Sequence, residues 1–143
     1  MVQTQYTNQN NGFRKLFNYI SGNNKQSEKI SMTTPVNVIQ IENEYVMQFY
    51  LPSKYKPNEI PLPSDNSVKI SSIEPGYFAV IRYSGFASDK NFYKHRDVLK
   101  SKLNIDNIKV IGPAIKATYD GPFTLPNLRR NEAIYQVGWK NPL

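Results

Sequence analysis

A chain of 143 residues with 39% hydrophobic and 13% aromatic side chains is long enough to bury a core in one domain and too apolar to remain disordered. It has no cysteine, which excludes disulfides, thiolate metal sites and cysteine nucleophiles and leaves the redox compartment unrevealed, with a reducing cytoplasm as the default location. The formal charge of +7 favours anionic partners, but the basic residues are dispersed, and their densest groups (Arg14-Lys15, Lys94 to Lys102, Arg129-Arg130) read as a solvated cationic surface. No apolar run reaches the length of a membrane span, and residues 1 to 20 lack the apolar core of a signal peptide.

Val2 to Thr7 (VQTQYT) carries β-branched residues with weak alternation and reads as a strand. Asn8 to Asn11 then offer N-caps, and Phe13, Leu16, Phe17 and Ile20 follow at i, i+3, i+4 and i+7, the apolar stripe of a helix over 10–21. Gly22 is placed to end that helix as a left-handed residue, with Arg14, Lys15 and Asn18 on the polar side. From Lys29 to Ile41 the period changes to two, with Pro35 marking an edge, bulge or loop-side position. Tyr45 to Leu51 completes a hairpin after a turn at Glu42 to Glu44. Four prolines between Pro52 and Pro63 predict an extended surface connection.

In the second half, VKISSI (68–73) and YFAVIRYS (77–84) read as two strands joined by a tight turn at Glu74-Pro75-Gly76. Ser88 is a candidate cap for a helix over 88–103 with the stripe Phe92, Arg96, Leu99 and Leu103. A strand at 114–119, a loop from Asp120 to Leu128 and a last strand at 132–139 follow. Strand, helix, strand, strand therefore occurs twice, and the chain reads as a duplicated βαββ unit. The predicted class is α+β, a distorted antiparallel β-barrel or saddle flanked by two α-helices, in one domain over 1–143.

Catalytic groups are scarce. There is one histidine, His95, in the second helix beside Phe92 and Leu99; a haem ligand and a half-exposed helix residue are both open to it. No nucleophile with a base, phosphate-cradling glycine loop or cluster of metal ligands is visible, so neither catalytic nor metal-ligating residues are assigned and an enzyme is not expected. A nucleic-acid platform would need exposed aromatics on one strand face, whereas YFAVIRYS and EYVMQFYL carry apolar groups on both; nucleic acid is not an expected partner.

The segments GFRKLFNYISGNN, KISMTTPVNV, FYLPSKY, PLPSDNSVKI, YFAVIRYSGFASD and ATYDGPFTLPNLRRNEAIYQV, in this order from Gly12 to Val137, resemble the SOUL haem-binding protein family. KISMTTPV and LRRNE in combination with the helix FRKLFNYISGNN are the most specific of these. The resemblance implies a soluble domain of duplicated βαββ topology that binds haem or another tetrapyrrole in an apolar groove between the first helix and the loop before the last strand. Carried onto this sequence, Phe13, Phe17, Ile20, Phe123, Leu125 and Leu128 would face the macrocycle, and Arg14, Lys15, Arg129 or Arg130 would pair with its propionates. Each has a plainer role: Leu16 and Phe17 suit a core, and Arg129 and Arg130 suit Asp120 or loop carbonyls.

Two departures from the family follow. Its members usually begin with a further strand, which this chain lacks together with the histidine proposed as axial ligand in some members; His95 is not its counterpart. The basic residue that some members place before the last strand is replaced by Thr124 and Leu125. The expected function is a non-enzymatic carrier, buffer or sensor of a tetrapyrrole, with an unknown axial ligand. The alternative is a protein-interaction or small-effector-binding module on the same barrel without haem. A strand left without a neighbour, VKISSI or VQTQYT, would invite a homodimer.

Overall fold

A computed structural model describes residues 1–7 and 9–139. The chain divides into two compact units, 1–73 and 74–143. The first contains β1 (Val2–Tyr6), α1 (Gln9–Ile20), β2 (Val36–Ile41), β3 (Glu44–Phe49) and β4 (Val68–Ile70). The second contains β5 (Tyr77–Tyr83), α2 (Asp89–Ile105), β6 (Lys109–Thr118) and β7 (Asn131–Gly138). The order βαββ thus repeats as predicted, and the class is α+β with antiparallel pairing.

In the first unit the strands lie in the order β4-β1-β3-β2. Val2, Thr4 and Tyr6 of β1 stand opposite Phe49, Met47 and Tyr45 of β3, on the sheet face that meets α1. Leu16, Tyr19 and Ile20 of the helix pack there with Val2, Tyr6, Met47, Phe49 and Val68. Helix and sheet come close because residue 12 is glycine: a Cβ there would sit 2.6 Å from the Tyr6 ring. The stop predicted at Gly22 is present, with φ 121°. The Gly22 N–H donates to Tyr19 O and the Asn23 N–H to Asn18 O, the paired bonds of a left-handed helix end. At the other end Asn10 and Asn11 lie inside the helix, while the candidate cap Asn8 is outside the described residues.

Three sequence expectations change. The strand read from Lys29 starts only at Val36, after Pro35, which has no N–H to give a ladder. VKISSI and YFAVIRYS do not form a hairpin: β4 pairs with β1, and the Ser71 N–H donates to Met1 O, so the connection through Pro75-Gly76 links two strands with different partners. VQTQYT is not an edge, since β1 lies between β4 and β3.

In the second unit β7 lies between β6 and β5. Tyr135 and Val137 of β7 and Ala79 and Ile81 of β5 pack under Leu99 and Leu103 of α2, while Tyr83, Phe92 and Ala133 continue the core toward the start of the helix. Ser88 caps α2 by accepting from the Asn91 N–H at 3.1 Å. Of the predicted stripe, Phe92, Leu99 and Leu103 are buried, whereas Arg96 lies over the Tyr93 ring and bonds Asp97. The strand β6 is longer than read, because Gly112 (φ 78°) and Pro113 form an irregularity between Ile111 and Ile115 rather than a terminus. Neither sheet closes on itself within its own unit.

Candidate functional site

The α1 stripe read as one apolar face serves two purposes. Leu16 and Ile20 are buried in the first core, joined by Tyr19, whose hydroxyl donates to Pro61 O at 2.6 Å. Phe13 and Phe17 stay 43% and 48% exposed. Their rings stack with centroids 5.8 Å apart and planes 15° from parallel, and Phe13 meets Phe49 edge-on at 5.5 Å. A flat, half-exposed apolar surface results, fixed underneath by a buried phenylalanine.

The helical period decides which charged residues flank that surface. Arg14 is about 60° round the axis from Phe17, whereas Lys15 is about 160° from Phe13. Arg14 is exposed beside the pair. Lys15 instead lines an open cavity of about 250 Å³ with Gln5, Tyr6, Thr7, Asn11 and Glu44. Its charge adds to the hydrogen bonds from Ser67 that hold the Asp65 carboxyl below the usual range. Of the predicted contacts on α1, then, Phe13, Phe17 and Arg14 come together; Ile20 is core and Lys15 faces elsewhere.

The remaining predicted contacts belong to the second unit. Phe123 is 98% exposed, and Leu125 and Leu128 are exposed beside it. Arg129 is engaged: Nε donates to Thr124 O at 2.9 Å and Nη2 to Pro122 O at 2.8 Å, so its guanidinium clamps the loop. Arg130 stacks over Tyr119 and donates to Glu132 Oε2 at 2.9 Å, and its backbone N–H donates to Asp120 Oδ2 at 2.6 Å. Arg129 thus meets loop carbonyls, whereas the Arg130 guanidinium goes to Glu132 and the Tyr119 ring and only its backbone N–H meets Asp120.

His95 is half-buried on α2. Its Nδ1 donates to Asn91 O at 2.8 Å and its ring lies parallel over Tyr83 at 4.0 Å. Burial pushes the Tyr83 hydroxyl up to about 12. No group of three or more His, Cys, Asp and Glu able to hold a metal ion occurs among the described residues. A cavity of about 600 Å³, open to solvent, lies between the end of α2 and the start of β6, lined by Asp97, Lys100, Ser101, Asn104, Ile108, Lys109 and Val110. It contains no residue of the predicted site.

A family model described as SOUL heme-binding protein matches residues 1–136. The chain belongs to the SOUL heme-binding protein family. The match includes Val2 to Thr7, ahead of the segments that carry the resemblance in the sequence. The chain is 29% identical over 131 residues to heme-binding protein 1 of Xenopus laevis, covering 87% of this chain and 68% of the relative. It is 30% identical over 142 residues to heme-binding protein 2 of Mus musculus, covering 92% and 66%. The chain therefore spans about two thirds of the length of these SOUL relatives.

Two site features were missed in the sequence. Phe49 was read only as a strand residue, although it supports Phe13 from below. Phe86, 64% exposed after Gly85, has one signal in the sequence, an aromatic side chain between a glycine and a helix cap.

Proposed function

We propose that this chain binds haem or another tetrapyrrole non-covalently and acts as a carrier, buffer or sensor rather than an enzyme. The observation that carries the reading is the stacked, half-exposed Phe13–Phe17 pair in a chain of this family. The macrocycle lies against the two rings, and Arg14 pairs with a propionate carboxylate. Phe123, Leu125 and Leu128 offer a second apolar surface, with Arg129 fixing the loop's shape instead of meeting the ligand. Relatives that carry the name heme-binding protein support the ligand class.

The residues on the page suit the organic part of the ligand better than its iron. The single histidine is in the other unit from the aromatic pair, its Nδ1 bonded within its own helix and its ring stacked on Tyr83. Binding in this reading rests on apolar contact and propionate pairing, without His95. Haem, when bound, supplies a redox-active iron and a strong absorption band; the protein supplies cover and charge. The reading includes one domain across both units, since the family match runs through the boundary at 73 and 74, and the distorted barrel that the resemblance implies. It also takes the cytoplasm as the default location. A second copy would pair along β4 or β5, each with one strand neighbour among the described residues.

Titrating the protein with haem and, separately, with metal-free protoporphyrin IX tests the proposal. Saturable shifts of the Soret band with both ligands at micromolar concentration are expected. No saturable change with either overturns it.

A further inference from the structure

The two strands with a single neighbour among the described residues, β4 and β5, are unlike as edges. β4 has three residues with exposed Lys69 in the middle, and a short, charged edge resists pairing with another chain. β5 runs for seven residues, keeps an unbroken register with β7 from Tyr77 to Tyr83, and holds no proline, glycine, lysine or bulge. No backbone hydrogen bond to 77–82 from outside that ladder occurs among the described residues. Along its outer side, every second N–H and C=O is therefore unpaired within the described chain. An apolar ligand cannot meet such a row of donors and acceptors; another extended strand can.

The side chains of β5 divide between the two faces of the sheet. Ala79, Ile81 and Tyr83 pack toward α2. Phe78, Val80 and Arg82 alternate with them on the other face and are exposed, Phe78 by 37% and Val80 by 48%. Arg82 stands opposite Glu132 of β7, but that carboxylate is taken by Tyr119 at 2.7 Å and by Arg130 at 2.9 Å. The Arg82 guanidinium takes part in no ion pair, hydrogen bond or ring contact among the described residues.

We propose that β5 is the interface with a second copy of this chain, the two strands joined antiparallel about a two-fold axis at Val80. That register sets Phe78 opposite Arg82 twice, giving two cation–π pairs, with Val80 against Val80 between them. Centred on Ala79, the pairing would bring Arg82 to Gly76; centred on Ile81, it would bring Arg82 to Val80. Of these three registers only the one at Val80 gives the free cation an aromatic face. The strand is thus complementary to itself, and a two-fold pair is closed at two copies. The inference sharpens the second-copy part of the functional reading and does not rest on the tetrapyrrole.

Analytical ultracentrifugation of the haem-free full chain tests it, with an outcome separate from that of the Soret titration. A strand-to-strand contact is at the small end of specific interfaces, so a dimer is expected at roughly 100 μM chain and a monomer on dilution. Val80→Lys sets two like charges against each other on the axis and should weaken the dimer about tenfold or more. Its position is exposed, so circular dichroism should stay native. The register is read by oxidative cross-linking, since the chain has no cysteine of its own. Val80→Cys should join two copies, because directly opposed residues lie about 4.5–5.5 Å apart, within disulfide reach. Phe78→Cys should not, its two copies being about 13 Å apart along the strands, and neither should Lys69→Cys on β4. A wild type that is monomeric at that concentration, as an interface made for a foreign strand would leave it, overturns the proposal. Val80→Lys dimerising like wild type overturns it too, as does Phe78→Cys or Lys69→Cys cross-linking as readily as Val80→Cys.

Discussion

Phe13 stacks on Phe17 one turn further along α1, centroids 5.8 Å apart, while the edge of Phe13 rests on the buried Phe49 at 5.5 Å. The same stripe of the helix supplies Leu16 and Ile20 to the core. Core packing thus fixes the angle at which the two exposed rings are presented. Apolar surface left half in water forgoes a burial contribution, roughly 25 cal/mol for each Å², which a flat ligand can recover.

His95→Ala separates ligand chemistry from structure. Its contacts, to Asn91 O and to Tyr83, stay within the second unit. The variant is expected to lose about 1 kcal/mol of stability from the hydrogen bond and the ring stack. Haem affinity, followed at the Soret band, should stay within about twofold of wild type; one pKd unit or more lost would make His95 a ligand.

Gly12→Ala brings two effects into opposition. Alanine favours a helix by about 1 kcal/mol over glycine, but the added Cβ meets the Tyr6 ring at 2.6 Å, and that ring is itself buried and stacked on Tyr45 at 5.5 Å. Overpacking costs of about 1–3 kcal/mol exceed the propensity gain. Chemical denaturation should show a net loss of stability, unlike a Gly→Ala change at an open helix position.

Alkaline pH should weaken the fold through two tyrosines. Burial pushes Tyr83 up to about 12, and burial, then Tyr55 and Glu28, push Tyr19 up to about 12, above the ordinary 10. Folding thus favours the neutral phenols: their contribution is complete below pH 10 and is lost as pH rises toward 12. The two differ in bonding, since Tyr19 donates to Pro61 O while the Tyr83 hydroxyl has no partner among the described residues. At pH 7, Tyr19→Phe should cost about 1 kcal/mol and Tyr83→Phe nothing or less. Unfolding midpoints between pH 8 and about 12 should fall less steeply for Tyr83→Phe than for wild type.

Arg129→Met removes the donors to Pro122 O and Thr124 O while keeping an unbranched apolar stem. With the group half-exposed, about 1 kcal/mol of stability is at stake. The sharper readout is local: limited proteolysis after Phe123 should speed up well before global stability changes. Arg129→Lys should rescue little, because a single ammonium cannot span two carbonyls in the fork geometry of guanidinium.

Local periodicity made the helices, the caps and the duplicated βαββ order legible. Ser88 and Gly22 act as their residue types predict. Strand partners were not legible, because alternation in VKISSI and YFAVIRYS says which faces are apolar and nothing about which strand lies alongside; β4 went to β1 and β5 to β7. The site was half legible for a similar reason. A stripe at i, i+3, i+4 and i+7 spans about 60° between Phe17 and Ile20, enough for one edge to enter the core while the other remains in water, and the sequence does not say which. The role of Arg129 depended on the path of its own loop, which spacing cannot supply.

Whether the exposed pair on α1 holds the tetrapyrrole is decided by a Soret titration of Phe13→Asp/Phe17→Asp against wild type. Both rings are half-exposed, so the variant should stay folded by circular dichroism. Wild type is expected to give a saturable band shift at micromolar haem, and the variant to bind about tenfold more weakly or less, since two carboxylates replace the apolar contacts and repel the propionates. Equal affinity in the folded variant and the wild type would contradict the account.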